Sequence, residues 1–195
     1  MAYELIAIGA SWGGMHAIGR VLESLPGGFE LPVVIAQHRP AANNEELLER
    51  ILARSSQLDV VGASDKEPLV PGRVYVAPSD YHLLVERGHL ALSTDDVVQF
   101  ARPSIDVLFE SAADAYAERA VGVLLTGVNE DGAAGLARIA AAGGFTVAQD
   151  PATAEQPDMP AAAIARGAAR RVLALEQIGP LLAGLRPAIA TGGDG

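Results

Sequence analysis

Three residues of this chain stand where their types and spacing could do chemistry: Ser11, His38 and Asp131. Ser11 lies in Gly9-Ala10-Ser11-Trp12-Gly13-Gly14, directly after the apolar run Leu5-Ile6-Ala7-Ile8, and a helical pattern begins near Met15. A serine on a strand-to-helix turn with glycines on both sides is the layout of a nucleophile elbow, whose sharp turn lifts the hydroxyl above the sheet edge. Backbone N–H groups at the start of the following helix can then face an oxyanion. His38 closes the next apolar run, Val33-Val34-Ile35-Ala36-Gln37-His38, and can supply the base that a serine needs. Asp131 sits in the loop that runs from Leu125 to Gly135, where another helical pattern starts. It reads as the N-cap of that helix, as the third member of a triad that holds the histidine tautomer, or as both.

The other polar residues at these places are weaker candidates. His16 is expected to face outward from the first helix. His82 and His89 belong to a predicted hairpin and read most simply as surface residues, with His82 placed where it could border a cleft. Ser11 also permits a rival reading, because Gly9-x-Ser11-x-x-Gly14 is one residue away from the dinucleotide fingerprint G-x-G-x-x-G. That fingerprint wants an acidic residue at the end of the second strand, and this chain has Gln37-His38 there. The middle glycine that admits a pyrophosphate is a serine, so nucleotide binding is disfavoured. The order Ser, His, Asp also differs from the Ser, Asp, His order of ordinary α/β-hydrolases.

The elements that must position these residues follow from periodicity. Strand patterns cover 4–10, 32–38, 58–63, 73–77, 120–126, 145–149 and 171–174, and residues 82–86 and 89–93 flank Arg87-Gly88 as a β-hairpin. Helical patterns cover 14–25, a segment capped by Asn43 or Asn44 that runs to about Ser55, 104–117 with Ser104 as N-cap, 131–142, 161–167 and 175–185. This alternation predicts an α/β class, a doubly wound, mostly parallel sheet in three α/β/α layers with a small hairpin. One domain over 1–186 is expected, followed by a disordered Gly-rich tail over 187–195. In such sheets, active residues gather beyond the carboxyl ends of the strands, which is where Ser11, His38 and the loop after Thr126 fall.

Composition narrows the function classes. The chain has 195 residues, half of them apolar and only 19% charged, as suits a parallel sheet buried on both faces. The net charge of −10 argues against nucleic acid as a partner, with a local basic spot conceivable at Arg166, Arg170 and Arg171. There is no cysteine, which excludes thiol catalysis, disulfides and cysteine-based metal sites. No apolar run reaches the roughly 18 residues of a membrane span, and the N-terminus has no basic leader. The reading is therefore a cytoplasmic protein with no cofactor, no metal and no membrane insertion.

With these motifs in view, the sequence resembles the catalytic domain of the chemotaxis protein-glutamate methylesterases, the CheB family, over about residues 4–185. The carriers are Ile8-Gly9-Ala10-Ser11-x-Gly13-Gly14, Gln37-His38-x-Pro40, Val76-Ala77-Pro78 and Arg102-Pro103-Ser104-Ile105-Asp106-Val107-Leu108-Phe109. Gly122-Val123-Leu124-Leu125-Thr126-Gly127-x-x-x-Asp131-Gly132-Ala133-x-Gly135 and Met159-Pro160-x-x-Ala163 complete the set. The resemblance implies Ser11 as nucleophile, His38 as base and Asp131 as the orienting acid. It implies methylated glutamates on the cytoplasmic helices of chemoreceptors as substrates, with deamidation of receptor glutamines as a second reaction. Backbone N–H groups of Trp12 and of the Gly127–Asn129 loop are the expected oxyanion donors. Trp12, Gly13, Gly127, Val128 and Asn129 are expected to form the oxyanion and substrate cleft.

Departures from the family pattern gather around that cleft. Trp12 stands where a threonine or another small residue is usual, Val128-Asn129 where the acid loop usually reads Met-Gly, and Arg39 where methionine is usual. Ala101 replaces a histidine before Arg102-Pro103-Ser104, and Asp158 replaces a glycine before Met159-Pro160. These changes suggest an altered substrate; the alternatives are a catalytically altered module that binds receptors or signalling proteins, or a small-molecule esterase. Better-known relatives carry an N-terminal receiver domain, whereas here the first strand pattern begins at residue 4. A stand-alone domain served by a separate response-regulator partner is the corresponding expectation.

Overall fold

A computed structural model describes residues 2–39 and 47–188. The expected helix start at Asn43 or Asn44, the Pro40 of the histidine motif and the tail beyond 188 lie outside the described residues.

Seven parallel strands form the main sheet: β1 (Leu5–Ala10), β2 (Val33–Gln37), β3 (Asp59–Gly62), β4 (Arg73–Val76), β7 (Ala120–Leu124), β8 (Phe145–Gln149) and β9 (Arg171–Leu173). Their order across the sheet is β3-β4-β2-β1-β7-β8-β9. The chain therefore starts in the middle, winds to one edge, and returns to the other side of β1. β5 (His82–Glu86) and β6 (His89–Ser93) pair antiparallel as a separate hairpin. This is the doubly wound architecture that the alternation of patterns predicts.

Among the described residues, six helices cover the sheet: α1 (Gly14–Leu22), α2 (Leu47–Arg54), α3 (Ile105–Tyr116), α4 (Ala133–Ala141), α5 (Asp158–Ala165) and α6 (Leu175–Ala183). The alternation of β1 sends its side chains to two cores. Ile6, Ile8 and Ala10 pack with Ile18, Val21 and Leu22 of α1 and Ile178 and Leu182 of α6. Leu5 and Ala7 pack on the other face with Leu108 and Phe109 of α3, Leu136 and Ile139 of α4, and Leu83 and Leu90 of the hairpin. Both faces of the central strands are buried, which explains their unbroken apolar runs.

Differences from the sequence reading are at element ends. α5 starts at Asp158 rather than 161, because Pro160 falls in the first turn, where the missing N–H costs no helical hydrogen bond. α1 stops at Leu22, three residues early, as Ser24 and Leu25 turn back onto Val21 and Leu22 carbonyls. At the carboxyl terminus, Pro187 bridges Tyr3, and Ala188 N–H donates to the Tyr3 carbonyl at 2.7 Å. The described residues thus end at 188, two past the expected boundary at 186.

The register puts the strand ends level. Gly9 pairs with Ala36 on one side and with Leu124 on the other. The ladder continues beyond the strands through His38 N–H to the Ala10 carbonyl at 3.0 Å and Ser11 N–H to the Thr126 carbonyl at 2.9 Å. The three loops of interest therefore leave the sheet side by side, at the point where the winding reverses. Gly9 also admits the start of α3: a Cβ there would lie 2.2 Å from Ile105 Cγ2. Gly9→Ala should consequently lower stability by about 1–3 kcal/mol, the usual cost of overpacking, and thermal unfolding measured beside wild type would check it.

Candidate active site

The turn after β1 presents Ser11. The Gly14 N–H donates to the Ser11 carbonyl at 2.9 Å, and Gly13, with φ of 75°, caps α1. Two other strand ends clamp this turn. Gln37 Nε2 donates to the carbonyls of Ser11 (2.7 Å) and His38 (3.0 Å). The Thr126 hydroxyl donates to the Trp12 carbonyl at 3.0 Å, and its N–H donates to Gln149 Oε1 at 2.9 Å. Gly127 lies close beneath the serine, where a Cβ would stand 2.7 Å from Ser11 Cβ and 1.9 Å from Met159 Sδ. Any side chain at 127 would push the two loops apart.

His38 bridges the serine to the aspartate. Its Nδ1 lies 3.2 Å from Ser11 Oγ and its Nε2 lies 2.6 Å from Asp131 Oδ2. These contacts assign the tautomer: Nε2–H donates to the carboxylate, which leaves the Nδ1 lone pair facing the serine hydroxyl. The serine contact is at the long end for a hydrogen bond, as is common before substrate binds.

Asp131 is wholly buried. Its carboxylate turns away from its own helix, α4, whose N-cap is Gly132. It accepts instead from the first turn of α3: Ser104 Oγ at 2.9 Å, Ile105 N–H at 2.7 Å and Asp106 N–H at 2.9 Å. The N-cap reading of Asp131 is thus corrected, since the residue satisfies the free N–H groups of α3 rather than of α4. Asp106 makes the converse connection, its Oδ1 accepting from Gly132 N–H at 2.9 Å and Gly135 N–H at 2.7 Å at the start of α4. Ser104 is the N-cap of α3, as the sequence suggests, although its bond from Val107 N–H is long at 3.4 Å.

The two buried carboxyls are pushed in opposite directions. Burial disfavours the charged form of Asp131, but the His38 hydrogen bond and the N–H groups of Ile105 and Asp106 outweigh it and hold its pKa below the ordinary 3.8. Burial raises the pKa of Asp106 above 3.8, and the neighbouring Asp131 charge adds to the rise against the bonds from Gly135 and Gly132. Asp131 is therefore suited to stay ionised beside an imidazolium.

Two open clefts meet at His38. One, of about 470 Å³, is lined by Ser11, Trp12, Gly13, Met15, Val128 and Glu155 among others. The other, of about 710 Å³, is lined by Arg39, Val97, Phe100, Arg102, Asn129 and Glu130 among others. The Trp12 ring is 65% exposed, so it walls the first cleft rather than filling it. Asn129 adopts a φ of 122°, and its Oδ1 accepts from Asp131 N–H at 3.0 Å, which fixes the approach to the aspartate.

Of the expected oxyanion donors, Gly127 is committed elsewhere, since its N–H bonds the Gln156 carbonyl at 3.0 Å. The N–H groups of Trp12, Gly13 and Val128 have no acceptor among the described residues. His82, expected at the surface, is buried: its Nδ1 accepts from Ser104 N–H at 3.1 Å and its Nε2 faces the Asp96 carbonyl at 3.0 Å. The arginine spot also disperses, with Arg166 paired to Glu130 and Arg170 stacked over Phe145. Sequence reasoning assigned no catalytic or binding role to Ser104, Asp106 or Gln37, and placed His82 only where it could border a cleft. Gln37, Ser104 and Asp106 stand in the family motifs without a site role attached; the packing of α3 on α4 brings Ser104 and Asp106 to the site, and the packing of the hairpin on α3 brings His82.

Comparison with known proteins bears directly on this arrangement. Residues 6–182 match the CheB methylesterase family. The chain belongs to that family. A Leptospira interrogans protein named for protein-glutamate methylesterase and protein-glutamine glutaminase activity is 46% identical over 182 residues, covering 93% of this chain and 94% of that protein. The protein-glutamate methylesterase FrzG of Myxococcus xanthus is 41% identical over 181 residues, which cover 92% of this chain and 54% of FrzG. The CheB methylesterase catalytic domain of Thermotoga maritima superposes with a TM-score of 0.89 at 32% identity, over 94% of this chain and 98% of that domain. As in that CheB domain, helices flank a parallel sheet.

The opposed carboxyl shifts give opposite pH signatures. Asp131, with its folded pKa depressed, contributes stability above 3.8 that is lost as pH falls through the folded value. Asp106, with its folded pKa raised, favours the fold when protonated and opposes it once pH exceeds the folded value. Asp131→Asn should therefore cost about 1–3 kcal/mol at pH 7, with the deficit shrinking towards pH 3. Asp106→Asn keeps an acceptor for Gly132 and Gly135, and its stability relative to wild type should improve from pH 3 to pH 7. Thermal unfolding of the three proteins across that range measures both slopes.

Proposed function

We propose that this protein hydrolyses γ-methyl esters of glutamate side chains on the cytoplasmic helices of chemoreceptor-type proteins, with Ser11 as nucleophile, His38 as general base and acid, and Asp131 as the orienting carboxylate. The observation that carries this reading is the unbroken path from Ser11 Oγ through the His38 ring to the buried Asp131, at 3.2 and 2.6 Å. Membership of the methylesterase family and the names of the relatives support the substrate class.

The chemistry follows from the geometry. As Ser11 Oγ attacks the ester carbonyl, its proton passes to His38 Nδ1. Asp131 faces the imidazolium from the opposite nitrogen and stabilises the charge that forms there. The tetrahedral oxygen bears a full negative charge and needs donors already in place. The N–H groups of Trp12, Gly13 and Val128 supply them in this reading. His38 then returns its proton to the departing methoxy oxygen, and methanol leaves. Water, deprotonated by the same Nδ1, attacks the glutamyl-serine ester and regenerates Ser11. A glutamine side chain passes through the same intermediate with ammonia as the leaving group, so deamidation belongs to the same site.

The open form of the site suits a side chain borne on a protein. Neither cleft closes over the serine, and the exposed Trp12, Met15 and Val128 form an apolar rim on the Ser11 side. A glutamyl methyl ester can reach Ser11 while the helix that carries it stays outside.

Methanol release from methylated cytoplasmic receptor fragments tests the reading. Ser11→Ala and His38→Ala should each lower turnover by on the order of 10⁴ or more, with the double variant little worse, because triad members act as a unit. Strictly additive losses would count against the triad. Short acyl esters turned over with no methanol released from receptor would replace the substrate class by a small molecule.

A further inference from the structure

We propose that Ser104 is a positioning residue for the reaction: its hydroxyl fixes the Asp131 carboxylate so that the second oxygen faces His38. The proposal rests on the hydrolase reading above and adds to it a residue outside the triad.

The two oxygens of Asp131 have separate tasks. Oδ2 faces His38 Nε2 at 2.6 Å and accepts Ile105 N–H at 2.7 Å. Oδ1 is anchored by Ser104 Oγ at 2.9 Å and Asp106 N–H at 2.9 Å. A carboxylate can swing about its Cβ–Cγ bond, and the anchors on Oδ1 stop that swing. Ser104 is the one side-chain donor to Oδ1 among the described residues. Its other hydroxyl contact, from Val107 N–H, is 3.4 Å long and weak by comparison. Capping is therefore the lesser of its two tasks.

Ser104 is itself held from behind. Its N–H donates to Nδ1 of the buried His82 at 3.1 Å, and His82 Nε2 reaches the Asp96 carbonyl at 3.0 Å. The residue is wholly buried, so no water competes for its hydroxyl. A hydroxyl that donates to Asp131 also draws off part of the carboxylate charge. Without it, the remaining charge would grip the His38 proton more tightly, and the acid limb of the rate profile would move to higher pH.

The test uses the full chain as wild type, Ser104→Ala, Ser104→Gly and Ser104→Thr. Ser11 is labelled with a fluorophosphonate from pH 5 to 9, methanol release is measured in parallel, and thermal unfolding reports stability. Glycine is a good N-cap and costs only a few tenths of the capping energy scale, so Ser104→Gly separates capping from positioning. Ser104→Ala and Ser104→Gly should label about tenfold more slowly at pH 7, as expected for one lost bond to a charged group. Their acid limb should move up, kcat should fall with KM unchanged, and Ser104→Thr should restore most of the rate. Labelling of Ser104→Gly at the wild-type rate with an unmoved acid limb would overturn the proposal, whatever the melting temperature. Wild type that labels but releases no methanol would refute the methyl-ester reading and leave Ser104 to be judged on labelling. Wild type that does not label at Ser11 would overturn both.

Discussion

The structure depends on a reciprocal exchange of carboxylates between two helices. Asp131, at the entrance to α4, accepts the first N–H groups of α3, and Asp106, in the first turn of α3, accepts the first N–H groups of α4. Helix N-termini leave N–H groups unpaired and carry partial positive charge, so each carboxylate satisfies a need of the opposite helix. Neither helix start can shift without breaking bonds at the other. The position of Asp131, and through it the orientation of His38, is thereby tied to the packing of α3 on α4.

The sheet supplies the other half of the arrangement. β1 pairs with β2 and β7 in registers that bring Gly9, Ala36 and Leu124 to one level. Side chains after these strands can meet without long loops, and rigid elements hold a reactive geometry better than mobile ones. Gln37 and Thr126 then bind the nucleophile turn to its neighbours through its carbonyls. Among the described residues, the hydroxyl of Ser11 is left to His38.

Around this fixed centre, four of the residues named as departures from the family pattern sit at the rim. Trp12 walls one cleft, Asn129 and Arg39 line the other, and Ala101 borders the same cleft beside the exposed Phe100. The side chains of Trp12, Arg39 and Ala101 face the clefts, while Asn129 also touches the catalytic loop through its Oδ1, which accepts from the Asp131 N–H.

The sequence by itself determined the strand-and-helix order, the doubly wound class and the candidacy of Ser11, His38 and Asp131. Those features are local: apolar runs bounded by turns define parallel strands, and a polar residue at such a run's end lies at the sheet edge whatever packs around it. Helix ends such as that of α5 were less legible, because Pro160 reads as a breaker although the first turn accepts it. Only the tertiary structure decided which helix Asp131 serves. A lone aspartate before a helical pattern looks like that helix's own cap, and the partner at Ser104–Asp106 lies 25 to 27 residues away in sequence. The same holds for His82, whose place in a hairpin suggested solvent until α3 covered it, and for the Gly127 N–H, which the chain near Gln156 takes up. Each of these depends on contacts between segments far apart in sequence, and local pattern carries no record of them.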